Sequence, residues 1–175
     1  MLIHAHSLEI RPITEDDLTS VVEVYRQCED FLALGPASTA SMEMVQKDLE
    51  LSRELRGLFC GIFRADGIMI GVVDYVPSNF EGIPQHAFLS LLMIAEPFRG
   101  QGIGNAVVQA IEAEIIQNKE IVAILSGVQV NNPRAVQFWQ RHGYRIVSGP
   151  ERMPDQTTVF HLRKDLSKPV VNMET

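Results

Sequence analysis

Ile94-Ala95-Glu96-Pro97-Phe98-Arg99-Gly100-Gln101-Gly102-Ile103-Gly104-Asn105 decides how the rest of this chain reads. The apolar run from Leu89 to Ile94 predicts a buried strand that Glu96-Pro97 stops. Three glycines follow within five positions, and an amphipathic pattern starts at Ile103. A strand, a glycine turn and a helix start point backbone amides at one place. Amides without partners in a first helical turn, together with the helix dipole, favour a phosphate there. Glycine lets such a ligand come close to the backbone. The stretch therefore predicts a seat for the diphosphate of a nucleotide-like cofactor.

Working outward, Ile103, Val107, Ile111 and Ile115 follow one another at fourfold spacing, with Ala106 and Ala110 on the same side. That pattern is a helix lying on a sheet. The β-branched run Ile121 to Val130 is the next strand, so residues 88–130 form a βαβ unit with parallel strands. Asn132-Pro133 reads as an N-cap followed by proline in the first turn, and Gly143 closes that helix. Tyr144–Val147 and Thr157–Leu162 read as closing strands, with Gly149-Pro150 and Pro154 in the loop between them.

Upstream, Leu8–Arg11 predicts a strand. Thr14 and Asp17 are spaced as a capping box before a helix whose face is Leu18, Val21, Val22, Tyr25 and Cys28. Residues 29–40 read as a loop. A second helix is expected over 41–55, with Val45 and Leu49 turned inward. Leu58–Phe63 and Ile68–Val76 are hairpin strands joined at Ala65-Asp66-Gly67. The strand from His86 does not alternate cleanly, as expected for burial on both faces or for a bulge. A single α/β (α+β) domain over residues 1–165 with a loose tail at 166–175 follows.

Composition narrows the function. The 175 residues carry a net charge of −7, which argues against a nucleic-acid partner and suits a cationic acceptor. Cys28 and Cys60 have no metal-ligand spacing and read as free thiols, so no metal is expected. No run is long enough to span a membrane, no leader pattern is visible, and the cytoplasm is the expected location. A P-loop would need Gly-Lys, which occurs nowhere. The dinucleotide register G-x-G-x-x-G fails twice, reaching Asn105 from Gly100 and Val107 from Gly102.

Arg99-Gly100-Gln101-Gly102-Ile103-Gly104 matches Arg/Gln-x-x-Gly-x-Gly/Ala, and here the sequence resembles the GCN5-related N-acetyltransferase (GNAT) family. Asn132 lies 28 positions after Gly104 and opens Asn132-Pro133-Arg134-Ala135-Val136-Gln137-Phe138-Trp139-Gln140-Arg141-His142-Gly143-Tyr144, which is similar to that family's second signature. The resemblance covers the chain to about residue 163. It implies an acyl-CoA N-acyltransferase fold: a mixed, mostly antiparallel twisted sheet of about six to seven strands with about four helices. Acetyl-CoA is the implied cosubstrate, and an amine of a small molecule or peptide the implied acceptor. The resemblance also allows a homodimer.

The resemblance further implies that the amides of Arg99, Gly100, Gln101, Gly102, Ile103, Gly104 and Asn105 hold the diphosphate, with the Arg99 side chain free for a phosphate. Pantetheine would pair with backbone groups around Met93 and Ile94, and Asn132 would contact the cofactor. Trp139 stands where the family often has the tyrosine that protonates the departing thiolate. Tyr144 is the nearest phenol in sequence, although its position matches a packing phenylalanine. Asp74, which interrupts an apolar strand, and His86, which begins the cofactor strand, are the candidate bases. The missing tyrosine leaves open a second class, a CoA-binding sensor or interaction domain without catalysis.

Overall fold

The computed structural model describes residues 3–5 and 7–166. Eight strands form one sheet: β1 (Ile3–Ala5), β2 (Leu8–Pro12), β3 (Leu58–Arg64), β4 (Met69–Val76), β5 (His86–Ile94), β6 (Ala123–Gln129), β7 (Arg145–Arg152) and β8 (Thr158–Asp165). Their order across the sheet is β1-β2-β3-β4-β5-β6-β8-β7. The helices are α1 (Leu18–Arg26), α2 (Glu29–Leu32), α3 (Met42–Glu54), α4 (Ile103–Ile115) and α5 (Pro133–Arg141). This is the expected fold with two additions. Strand β1 extends the N-terminal edge, and the four-residue α2 occupies part of the expected 29–40 loop.

Local signals produce the elements as expected. Gly67, at φ +82°, closes the β3–β4 turn, and its amide donates to the Arg64 carbonyl at 2.9 Å. Ser41 caps α3 by accepting from the Met44 amide at 3.1 Å. Beside Asp17, both the amide and the hydroxyl of Thr14 donate to the Asp17 carboxylate, at 2.8 and 2.9 Å. Among the described strands only the neighbours β5 and β6 run parallel, joined by the crossover through α4.

The sheet is covered differently on its two faces. Helices α4 and α5 bury Val107, Ile111, Ile115 and Trp139 against Ile62, Val73, Leu89 and Ile124. Helices α1 and α3 bury Val21, Tyr25, Val45 and Leu49 against Phe59, Val72 and Met93. Each fully buried aliphatic side chain is worth roughly 1.5–3 kcal/mol. Both thiols are buried and free, and burial pushes Cys60 up to about 12.

The C-terminal hairpin departs from expectation. Strand β7 runs on to Arg152, so Gly149 and Pro150, joined by a cis bond, lie inside it rather than in a loop. Its register against β8 shifts on both sides of Ser148. Proline has no amide to donate, and an edge strand with a broken register tolerates that. At the far end, the Leu166 amide donates to the Val122 carbonyl at 2.8 Å and its side chain packs on the core. The rest of the expected tail lies outside the described residues. Among the described residues no helix is long and apolar enough to cross a membrane.

Candidate active site

Strand β5 is the axis of the site. On one side it pairs with β4 along its length, with a register shift at Asp74/Tyr75 that leaves Ser90 as the bulged residue between Leu89 and Leu91. This is the expected bulge, and it accounts for the broken alternation. On the other side β5 pairs with β6 only from His86 to Leu89. At the last pair, Ser126 on β6 turns its hydroxyl onto the Leu89 carbonyl at 2.8 Å. Beyond it the two strands part, and β6 continues with β8 as its partner. Ser90 to Ile94 thus form an edge against which an extended ligand can lie as an added strand. Met93 and Ile94 both fall on this stretch, but the Ile94 carbonyl is already occupied. Arg99 Nε donates to it at 2.7 Å, and Cys28 Sγ lies 3.4 Å away.

The glycine turn follows directly. Gly100 and Gly102 adopt φ +75° and +78°, and a Cβ at either would meet nothing within 4 Å. Their conformation needs glycine, and the space beside them is open. Gly102 is the N-cap of α4, whose first backbone bond is Ala106 N–H to the Gly102 carbonyl at 3.1 Å. The amides of Ile103, Gly104 and Asn105 in that first turn have no carbonyl one turn back to bond. The Arg99 amide is different, because it donates to the Glu96 carbonyl at 3.2 Å.

The side chains divide the expected set further. Arg99 is not free for a phosphate: its guanidinium donates twice to Asp30, at 2.6 and 3.0 Å. It fixes the turn to α2, and the Asp30 hydrogen bonds hold its own pKa above the usual arginine value. Gln101 Nε2 donates back to the Pro97 carbonyl at 3.3 Å. Ile103 packs on the core, and a Cβ at Gly104 would stand 3.5 Å from the Phe138 ring. Asn105 Oδ1 lies 3.0 Å from His142 Nε2 at the end of α5. Asn132 caps α5 by accepting from the Ala135 amide at 3.1 Å. A cavity of about 840 Å³ opens beside the turn, lined by Phe98, Gln101, Gly102 and Asn105 and, from the β3–β4 hairpin, Arg64.

The three candidate proton-transfer residues occupy different environments. Asp74 is 7% exposed at the bulge, where Ser52 Oγ donates to Oδ1 and Ser90 Oγ to Oδ2, each at 2.6 Å. Burial raises its pKa, and the two serine hydrogen bonds oppose that rise. Nearby, Tyr25 donates to Asp48 at 2.7 Å, and burial also raises the Asp48 pKa. His86 stands at the opposite end of β5, four residues before the bulge and so about 13 Å along the strand. Its Nε2 is 3.4 Å from Arg163 Nη1. Tyr144 is 2% exposed under α4 and α5, edge-on to Trp139 with ring centroids 5.0 Å apart. Burial raises its pKa strongly. Asp74 alone of the three meets the fork. Tyr25 and Tyr75 belong to the core, and Phe80 stacks on Phe88 with ring centroids 4.1 Å apart.

The acetyltransferase (GNAT) family model matches residues 18–144, a span that includes the fork, the turn and α5. This chain belongs to the GNAT acetyltransferase family. It is an acetyl-CoA-dependent N-acetyltransferase by family. No curated protein matches it by sequence. Solved structures share the fold. An acetyltransferase from Thermus thermophilus is 23% identical, with 94% of this chain and 100% of that one covered and a TM-score of 0.75. A Salmonella typhimurium acetyl transferase that modifies the N-terminal serine of ribosomal protein L7/L12 is 19% identical, with 95% and 100% covered and a TM-score of 0.77. A Vibrio cholerae spermidine N-acetyltransferase in complex with CoA and spermine is 15% identical, with 93% and 97% covered and a TM-score of 0.69.

Sequence reading of this acetyltransferase missed three residues that the fold brings to the site. Ser52 and Ser90 flank Asp74, and Arg64 borders the turn. A serine among apolar strand residues carries a weak signal of a buried polar partner. Nothing local marks Arg64. No cluster of three or more His, Cys, Asp or Glu side chains able to hold a metal occurs among the described residues.

Proposed function

We propose that this protein transfers the acetyl group of acetyl-CoA directly to a cationic primary amine, on a small molecule or at an exposed peptide amine. The observation that carries the reading is the open amide turn, Gly100 to Asn105, set at the end of the forked strand β5. In this reading the turn amides and the α4 N-terminus hold the diphosphate. Arg99 holds the turn in shape, and Asn132 orders the start of α5 beside it. Pantetheine lies along Ser90–Ile94 and brings the thioester to the bulge. The ammonium first gives one proton to solvent; the neutral amine then attacks the carbonyl, a C–N bond forms, the C–S bond breaks, and CoA leaves as a thiolate. With a thiol pKa of ~8.5 that thiolate needs no obligatory acid, so the absence of a tyrosine at Trp139 is tolerable. The amine proton goes to Asp74, a carboxylate whose raised pKa suits a base.

The acceptor's charge is supported by the distribution of acid. Ten carboxylates and four cations lie between Thr14 and Arg56, so the segment containing α1 to α3 carries −6 of the net −7. Calorimetric titration with acetyl-CoA, followed by thiol release with spermidine and with an unblocked serine peptide, tests the proposal. Binding followed by turnover on either amine supports it, and absence of acetyl-CoA binding defeats it. The second reading, a CoA-binding sensor, is favoured only by Trp139. It would show as tight CoA binding without turnover on any amine.

A further inference from the structure

Three hydroxyl and carboxyl groups from distant parts of the chain meet on the α1/α3 face of the fork: Ser90 on β5, Asp74 on β4 and Ser52 on α3. Ser90 is half-buried and is the first β5 residue past the last β6 pair. Asp74 and Ser52 are buried behind it, at 7% and 2% exposure. Space for this contact is held by Gly57, where a Cβ would stand 2.7 Å from Ser52 Oγ and 3.2 Å from Asp74 Oδ1. A cavity of about 690 Å³ between α3 and the β2–α1 loop reaches Ser52 and Gly57 from the other side. Asp74 carries a serine on each carboxylate oxygen at 2.6 Å, and of the two only Ser90 lies on the edge that β6 leaves open.

We propose that Ser90 is the catalytic residue that takes the acceptor's proton and passes it to Asp74, with Ser52 as the positioning residue that aims the carboxylate. As the amine nitrogen bonds to the acetyl carbon, its surplus proton moves to Ser90 Oγ. The Ser90 hydroxyl proton moves to Asp74 Oδ2, and the C–S bonding pair leaves on CoA. Asp74 ends neutral; between turnovers its proton passes to Ser52 Oγ as the Ser52 hydroxyl proton leaves to solvent in the cavity that Ser52 lines. The titratable groups around this relay are Tyr25 on α1, Asp48 on α3 and Cys60 on β3. Tyr25 and Cys60 are buried and Asp48 is half-buried, and the charge of Asp74 contributes to raising each of their pKa values.

The relay rests on the acetyl-transfer reading, and its test separates the two. Acetyl-CoA affinity and the pH dependence of kcat/KM are measured for wild type, Ser90→Ala and Ser52→Ala. The two acceptors are an unblocked serine peptide, with an amine pKa of ~8, and spermidine, with amines near ~10. Ser90→Ala is expected to bind acetyl-CoA as wild type does and to lose about a hundredfold in kcat/KM at pH 7. Its deficit shrinks as pH rises and is larger for spermidine. Ser52→Ala removes a bond that lowers the Asp74 pKa, so the acid limb of its profile moves to higher pH. Gly57→Ala, which wedges Ser52 away from Asp74, moves it the same way.

A Ser90→Ala protein with an unchanged profile overturns the relay. So does one that loses the same factor at every pH and on both amines, because that is damaged packing. A wild type that binds acetyl-CoA yet acetylates neither amine overturns the relay and leaves the cofactor site standing. A wild type that fails to bind acetyl-CoA overturns the parent reading.

Discussion

Gly102 does two jobs with one backbone angle. At φ +78° a side chain strains the chain by about 1–2 kcal/mol, and its Cβ would project into the open space where the diphosphate is proposed to sit. Gly102→Val is expected to weaken acetyl-CoA binding at least tenfold while the protein stays folded; calorimetry and circular dichroism read the two effects separately. Asp17 makes a different single-residue case. The Arg11 guanidinium, 2.8 Å away, holds its carboxyl down to about 2, with burial opposing and the Thr14 bonds assisting. The folded value lies below the unfolded one, so this stability is full above pH ~4 and disappears as pH falls through about 2. Allowing for solvent screening, Asp17→Asn should cost about 1 kcal/mol at pH 7 and almost nothing at pH 2, measured by urea unfolding at both.

Among the elements, the β4–β5 pair determines whether a fork exists at all. Gly71 lies opposite Ile94, and a Cβ there would come within 2.5 Å of the Met93 carbonyl, which is backbone and cannot step aside. Gly71→Ala should therefore destabilise the fold by about 2 kcal/mol, seen as a lower Tm, and should also move the edge on which Met93 and Ile94 lie. Most of the elements can be read locally. Alternation, the Asp-Gly turn, the Ser41 and Asn132 caps and the α4 stripe all depend on neighbours a few residues apart. The exceptions are informative. Strand β7 falls short in the sequence reading because Gly149-Pro150 signals a loop, and only its place at the sheet edge makes it strand. Helix α2 has four residues and too few turns to show a periodicity.

On the scale of the whole molecule, charge is unevenly spread, with −6 of the net −7 between Thr14 and Arg56. A cationic acceptor drawn by that field should show kcat/KM falling as salt rises from about 0.02 to about 0.5 M, where the Debye length becomes a few ångströms. A neutral amine at the same pH should show little change, and equal salt responses would remove charge as a basis for acceptor choice.

Sequence alone determined the glycine turn, the helix behind it, the parallel β5–β6 pair, the Asn132 cap and hence the acetyltransferase family. Those signals are backbone preferences and periodicities written within a few residues of each other. Tertiary structure decided what the side chains do. Arg99 spends its charge on Asp30, 69 positions away, and Asp74 is held between serines 22 and 16 positions away. No local pattern encodes such pairs, because their partners become neighbours only when the strands align and the helices settle on the sheet.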